Sequence, residues 1–219
     1  MQNCAKINNL RFFLYLSAMH PLEKMIAEGE HLHQDFKYFL SDAKKIARSV
    51  AAFANTDGGR LLIGVKDNGK IVGIKNDEDI HLIEAAAQVF CSPAVDYEPK
   101  IWEYGTKRVL EVDIAPSAAA PHSAPTESGS RAVFIRKADE NKVASAVETC
   151  YLRLKFSPAA VNMAIGKPQQ RILDYFAMHN LPFEPGYHYD IPAIATCCLM
   201  SEQDCIESIC KLILLNETV

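Results

Sequence analysis

Apolar and polar residues follow one another in segments whose period changes several times, and each change marks an element. Residues 21–28 repeat at helical spacing and predict a short helix. Residues 33–40 have the aromatic, period-two look of a strand, with Phe36 and Tyr38 on the opposite face from Lys37 and Phe39. Ser41-Asp42 then caps a helix whose apolar positions Ile46, Val50, Phe53 and Ala54 recur at helical spacing. That helix stops at Asn55-Thr-Asp-Gly-Gly59, where the glycines take positive φ without steric cost. Residues 61–65 read as a buried strand, and Asp67-Asn-Gly69 as a hairpin turn returning through residues 70–74.

Farther along, residues 77–90 predict a second amphipathic helix with Ile80, Ile83, Ala87 and Phe90 on one side. Residues 97–104 and 108–114 pair as a hairpin around Gly105-Thr106. A Pro/Ser/Ala-rich loop spans 116–129, and 132–136 forms another strand. After Val147 the pattern turns to helix and loop, with short helices at 169–179, 191–199 and 202–215. This order implies an α+β fold, a mixed sheet flanked by helices. A small all-helical C-terminal region with helix-turn-helix-like connectivity follows. The expected division is an N-terminal extension (1–20), the α+β domain (21–150), a linker (151–167) and an acidic helical domain (168–219).

At 219 residues the chain holds one good-sized domain and a small second one. No run of about 18 apolar residues exists, so no membrane-spanning helix is expected. Phe12-Phe-Leu-Tyr-Leu16 is too short for a secretory core. It reads as an extension ahead of the domain, or as upstream of a true start at Met19 or Met25. The seven cysteines form no CxxC pair and no Cys/His ladder. Buried thiols in a reducing, cytoplasmic compartment are expected.

A net charge of −4 argues against coating nucleic acid by bulk charge, but the distribution is uneven. Lys37, Lys44, Lys45, Arg48, Arg60 and three further lysines outnumber Asp35, Asp42, Asp57 and Asp67 between residues 35 and 75. The sign reverses beyond residue 172, so any polyanion-binding face belongs to the first half. The last helix carries Glu202, Asp204 and Glu207, which repel phosphates. Its apolar positions suit packing or homodimerisation better than a DNA groove. No aromatic-interleaved platform for base stacking is visible.

Glu30-x4-Asp35-Phe-Lys37, Ala52-Phe-Ala-Asn-Thr-Asp-Gly-Gly59 and Leu62-Ile-Gly-Val-x-Asp67-x-Gly69-x3-Gly73-Ile74 together resemble the Schlafen AlbA-type domain, over roughly residues 22–146. That family is also catalogued as a divergent AAA or DNA-binding domain. The resemblance implies a nucleic-acid-binding protein, of RNA or DNA, with ATP-binding regulators among bacterial members. Animal members include endoribonucleases that use a carboxylate trio and a divalent metal. Carried onto this chain, the trio falls on Glu30, Asp35 and Asp67, with Lys37 beside it as a further catalytic candidate and Mg²⁺ or Mn²⁺ as the ion. The second position is usually Glu; Asp35 is shorter by one methylene, which strains metal geometry.

Each candidate also has a plainer reading. Glu30 and Asp35 read equally as solvated strand-edge charges, and Asp67 as a turn residue. Lys37 reads as a surface lysine, and an ion pair with Asp35 is disfavoured where both are already engaged. Lys44, Lys45, Arg48, Arg60, Arg136 and Lys137 are the phosphate-contact candidates, or a solvated face. Gly58-Gly59 belongs to no conventional nucleotide loop and reads as a helix stop. His31 and His33 share a face without a third ligand and read as exposed or structural, and His122 has no visible partner.

Overall fold

The computed structural model describes residues 20–74, 78–156 and 165–217. The expected N-terminal extension, apart from His20, lies outside the described residues, as do Lys75 and the middle of the expected linker.

Helix α1 (Pro21–Glu28) begins with a reciprocal cap. The His20 ring accepts the Leu22 N–H, and the Glu23 carboxylate accepts the His20 N–H. Strand β1 (Gln34–Lys37) leads to helix α2 (Ala43–Asn55), whose cap is the expected one: Asp42 accepts the Lys44 N–H at 2.8 Å. Strand β2 (Gly59–Ile63) returns parallel to β1. Helix α3 (Glu78–Ala85) runs on into a π-helical stretch, Ala86–Phe90. The hairpin β3 (Glu98–Tyr104) and β4 (Lys107–Ile114) forms as its pattern predicts. Strand β4 inserts antiparallel beside β2, giving a mixed sheet of order β1-β2-β4-β3.

A second, antiparallel sheet holds β5 (Ser123–Pro125), β6 (Arg131–Lys137) and β7 (Glu140–Val143) in that order. Only β6 was legible. β5 is three residues inside a proline-rich loop, and β7 is polar and mostly exposed, so neither carries an apolar alternation.

The expected strand 61–65 and its return through 70–74 do not form a full hairpin. Gly64 adopts φ 94° and its carbonyl accepts both the Val72 and Gly73 N–H groups. Its backbone therefore turns out of the ladder, leaving a single bridge between Val65 and Ile71.

Helix α2 lies between the two sheets, which explains its small residues. Ala47, Val50, Ala51, Ala52 and Phe53 are fully buried, facing Leu61, Ile63, Leu110 and Val112 of the first sheet and Ala124 and Phe134 of the second. A helix covered on several sides cannot show a clean amphipathic stripe. The opposite face of the first sheet, with Phe36, Leu62 and Val109, is closed by Leu22 and Met25 of α1.

A separate core forms from α4 (Ala146–Lys155), α5 (Lys167–His179), α6 (Ile191–Cys197) and α7 (Glu202–Glu217), with Ile135 of β6 reaching into it. The stretch expected as linker thus begins inside a helix, where Tyr151 and Leu152 are buried. The α7 positions Ile209, Cys210 and Ile213 pack inside the chain's own core, so this stripe is used internally. Cys91, Cys150, Cys198, Cys205 and Cys210 are buried free thiols, as expected, whereas Cys197 is exposed. Burial pushes the Cys91 and Cys205 thiols up to about 12. No helix among the described residues is long and apolar enough to cross a membrane.

The Gly58-Gly59 step is set by close packing. A Cβ at Gly59 would stand 2.5 Å from the Phe53 ring and 2.8 Å from the His33 carbonyl oxygen. Gly58 has φ 74°, and a Cβ there would meet the Ile114 oxygen at 2.8 Å. Gly59→Ala is therefore expected to cost about 1–3 kcal/mol, the usual range for overpacking. A urea-unfolding midpoint unchanged from wild type would show that the α2–β2 junction has room to spare.

Candidate functional site

The polar cluster nearest to a site lies where β1 meets α2 and β6. Period-two alternation puts Asp35 and Lys37 on one face of β1, and α2 covers that face. Asp35 is 4% exposed, yet it is a charge-bearing residue that needs partners there. Lys37 Nζ lies 2.7 Å from Asp35 Oδ2, so the ion pair disfavoured by the sequence is made. Ser49 Oγ of α2 stands 3.5 Å from the same oxygen, and Arg136 Nη2 approaches Oδ1 at 3.9 Å. Glu30 completes the cluster from the turn before β1. Its Oε1 accepts the Phe36 N–H at 2.9 Å, and its carboxyl lies beside that of Asp35.

Two neighbouring carboxyls disfavour each other's charge. Burial raises the Glu30 carboxyl above its ordinary range, and the neighbouring Asp35 carboxyl raises it further, while the Phe36 N–H and Lys37 oppose the rise. The sign follows: a raised folded-state pKa contributes stability below the ordinary carboxyl range and loses it as pH climbs through the raised value. Glu30→Gln keeps an acceptor for Phe36 N–H and offers Asp35 a permanent donor. Its melting temperature is expected to exceed wild type by about 2–4 °C at pH 8, the equivalent of one hydrogen bond of ~1 kcal/mol. The gain should vanish near pH 4. An equal offset at both pH values would mean that the Glu30 carboxyl is not raised in the folded protein.

Arg136 departs furthest from its expected role. Near the end of β6, it is 3% exposed and lies over the Phe53 ring at 5.0 Å. Nη1 donates to Asn141 Oδ1 at 3.0 Å, and Nη2 donates to the carbonyls of His31 and Gln34, each at 3.2 Å. A guanidinium so engaged is a brace joining the two sheets and is not presented to a phosphate. Asn141 carries the network on, donating to Ser49 Oγ at 2.8 Å.

Three further residues were quoted in the motifs or passed over without a role. Gln34, fully buried, donates to the Met25 and Gly29 carbonyls and accepts Arg60 Nε at 2.6 Å, which ties α1 to both parallel strands. Asn55, 4% exposed, donates to the His122 and Phe134 carbonyls and accepts the His122 N–H. Thr56 Oγ1 accepts the Arg136 N–H. The signal for Asn55 and Thr56 was a run of polar residues ending a helix that is otherwise apolar. Among the histidines, His33 Nδ1 lies 3.1 Å from the Gly58 oxygen, and His122 is fully buried with Nδ1 2.9 Å from the Pro93 oxygen. Both hold the backbone, and His122 thus gains a partner that the sequence did not reveal.

The remaining basic candidates divide by what they touch. Arg60 pairs with Glu28, and Arg48 donates to the Pro125 carbonyl and faces Glu127. Lys137 pairs with Glu148 at 2.7 Å. Burial works to raise the Glu148 carboxyl, but the bonds from Lys137 and Ser145 prevail and hold it below its usual range. Lys44 and Lys45 differ. Both are exposed on the first turn of α2, which carries no acid, and among the described residues neither is paired with a carboxylate. Lys44 Nζ rests 5.8 Å from the Phe90 ring.

The profile of the Schlafen AlbA_2 family matches residues 30–145, more than half of the chain, and the match takes in both the Glu30–Asp35–Lys37 cluster and the Arg136 brace. The chain belongs to the Schlafen AlbA_2 family. Among solved structures it is similar to the DIP2311 protein from Corynebacterium diphtheriae, at 23% identity and a TM-score of 0.42. That likeness covers 66% of this chain and 30% of the other, so the chain spans less than a third of that protein. It is also similar to the N-terminal domain of a RecG-related protein from Nitrosomonas europaea, at 20% identity and a TM-score of 0.38, covering 54% of this chain and 89% of that one. No curated protein sequence matches it.

The AlbA_2 domain of this chain does not present the trio as a cation site. Among the described residues no three His, Cys, Asp or Glu side chains come together to hold an ion. Glu30 and Asp35 are turned to each other and to Lys37. Asp67 sits exposed in the turn after β2 and makes no hydrogen bond or ion pair among the described residues. A divalent ion requires several oxygens free of competing cations and converging on one point, and this donor set does not offer that.

Proposed function

We propose that this Schlafen AlbA_2 protein binds nucleic acid through its first domain, with Lys44 and Lys45 as the phosphate contacts. The observation that carries the reading is the first turn of α2. It is the place where two expected contact residues are exposed together without a carboxylate partner. Arg60, Lys137 and Arg48 lend less, since each must first give up an acid or a carbonyl. Arg136 lends nothing, being interior. The interface is therefore narrow, and its affinity is governed by salt.

The test is retardation of labelled tRNA and duplex DNA at about 50 and 200 mM salt, with and without EDTA. Binding is expected to weaken with salt and to survive chelation. The double variant Lys44→Ala/Lys45→Ala should reduce the salt slope by roughly 1–2, because about two phosphate contacts are lost. An unretarded band at the lower salt overturns the reading. Cleavage that EDTA abolishes would replace it with a metal-dependent nuclease.

A further inference from the structure

Tyr38 and Phe39 leave the end of β1 with 54% and 57% of their surfaces in water. The sequence showed no aromatic-interleaved stacking platform, and alternation placed these rings on opposite faces of one strand. The strand instead ends at Lys37, which frees both residues from that alternation. They rim a cleft of about 560 Å³, walled by Leu40, Val72 and Ile74 and with Glu78 and the buried Asp79 on its lining. The volume falls in the range of small-ligand sites. Lys66 reaches across from the turn after β2, with Nζ 4.8 Å from the centre of the Tyr38 ring. A slot of mixed apolar and polar lining, an exposed ring with an ammonium against it, and carboxylates thus meet at one place on the basic half of the chain.

We propose that this cleft takes one unpaired nucleobase of a single-stranded RNA or DNA. The proposal rests on the nucleic-acid-binding reading and adds to it the strand state and the point of contact. A base in a duplex has both faces covered by its neighbours, whereas an unpaired base can be splayed out and stacked on an aromatic side chain. Tyr38 offers such a surface. Lys66, held at its ring, is placed to meet the backbone phosphate next to the stacked base. Glu78 is exposed, and its carboxylate accepts an exocyclic amine, a group that adenine, cytosine and guanine carry and uracil and thymine do not. The same carboxylate repels phosphate, which favours entry base-first. Adenine, a strong stacker with an exocyclic amine, is the expected preference.

The experiment compares short labelled oligoriboadenylate and oligodeoxyadenylate, their duplexes, and a base-free deoxyribose-phosphate strand of equal length, on the full chain. Single strands are expected to bind more tightly than duplexes. Removing the bases, or Tyr38→Ala, should weaken single-strand binding roughly 5- to 100-fold, the effect of one lost base–aromatic stack. Tyr38→Trp should retain it, and duplex binding by Tyr38→Ala should stay at the wild-type level. If oligoriboadenylate alone shows these losses, the ligand is RNA; if both do, it is either. Should Tyr38→Ala fail to fold, Tyr38→Leu and the base-free strand on wild type still decide. Salt-sensitive binding that ignores both the base and Tyr38 overturns the cleft and leaves the proposed function standing. Absence of all binding overturns both.

Discussion

Arg136→Met is expected to destabilise the protein by about 3–5 kcal/mol, the usual result of removing one member of a buried charged network. Three losses combine. The His31 and Gln34 carbonyls lose their donor, Asn141 Oδ1 loses Nη1, and the Asp35 carboxylate keeps only Lys37 as a cationic neighbour. Methionine fills similar volume over Phe53, so cavity formation adds little. For a chain of this size the melting temperature should fall by roughly 6–20 °C. Arg136→Lys should recover little of it, because one ammonium cannot reproduce a planar fork that reaches two elements at once. Adding Asp35→Asn to Arg136→Met should restore part of the loss by removing the buried carboxylate that has lost a cationic neighbour. A melting curve for Arg136→Met within 2 °C of wild type would show that the two sheets do not depend on this brace. It would also return Arg136 to the list of phosphate contacts.

Asn55→Ala carries the second large effect, about 3–5 kcal/mol, through three orphaned backbone groups at 1–3 kcal/mol each with incomplete additivity. The His122 N–H at 2.7 Å, the His122 carbonyl at 2.7 Å and the Phe134 carbonyl at 2.8 Å all turn on this one amide. Both carbonyls need a donor, which the Asn55 amide nitrogen supplies. Asn55→Asp tests that point. A carboxylate still accepts from His122 N–H but repels both carbonyls, so the aspartate should be at least as damaging as alanine. The loss is local in origin, and amide exchange should report it at His122 before the core of α2 responds. If Asn55→Asp unfolds at the wild-type midpoint, the loop before β5 must be held by other contacts.

Both residues sat in plain view in the sequence, yet their roles were not legible there. Asn55 ends a helix and resembles any polar residue that stops one. Arg136 lies on a strand whose alternation marked it only as a charge near the exit. Each acts on a residue far along the chain, Asn55 on His122 and Arg136 on His31, and no local period encodes such a distance. Asp35 and Lys37 show the same gap in a milder form. Their spacing placed them on one face, but only the covering helix made that face dry enough for the pair to be needed. Tyr38 and Phe39 show the converse. Alternation assigned them faces, and the early end of β1 removed the faces.

What the chain alone determined was local: the Asp42 cap, the helix stop at Gly58-Gly59, the β3–β4 hairpin, the membership of the Schlafen AlbA_2 family, and the excess of positive charge in the first half. These follow from propensity, period and steric freedom, which act over a few residues. The tertiary structure decided which charges are spent and which are left over. Packing α2 between two sheets turned Arg136, Asn55 and Asp35 inward, where desolvation forces each to find a partner. The same packing left Lys44, Lys45 and Tyr38 outside, where water costs them nothing and a ligand can compete for them.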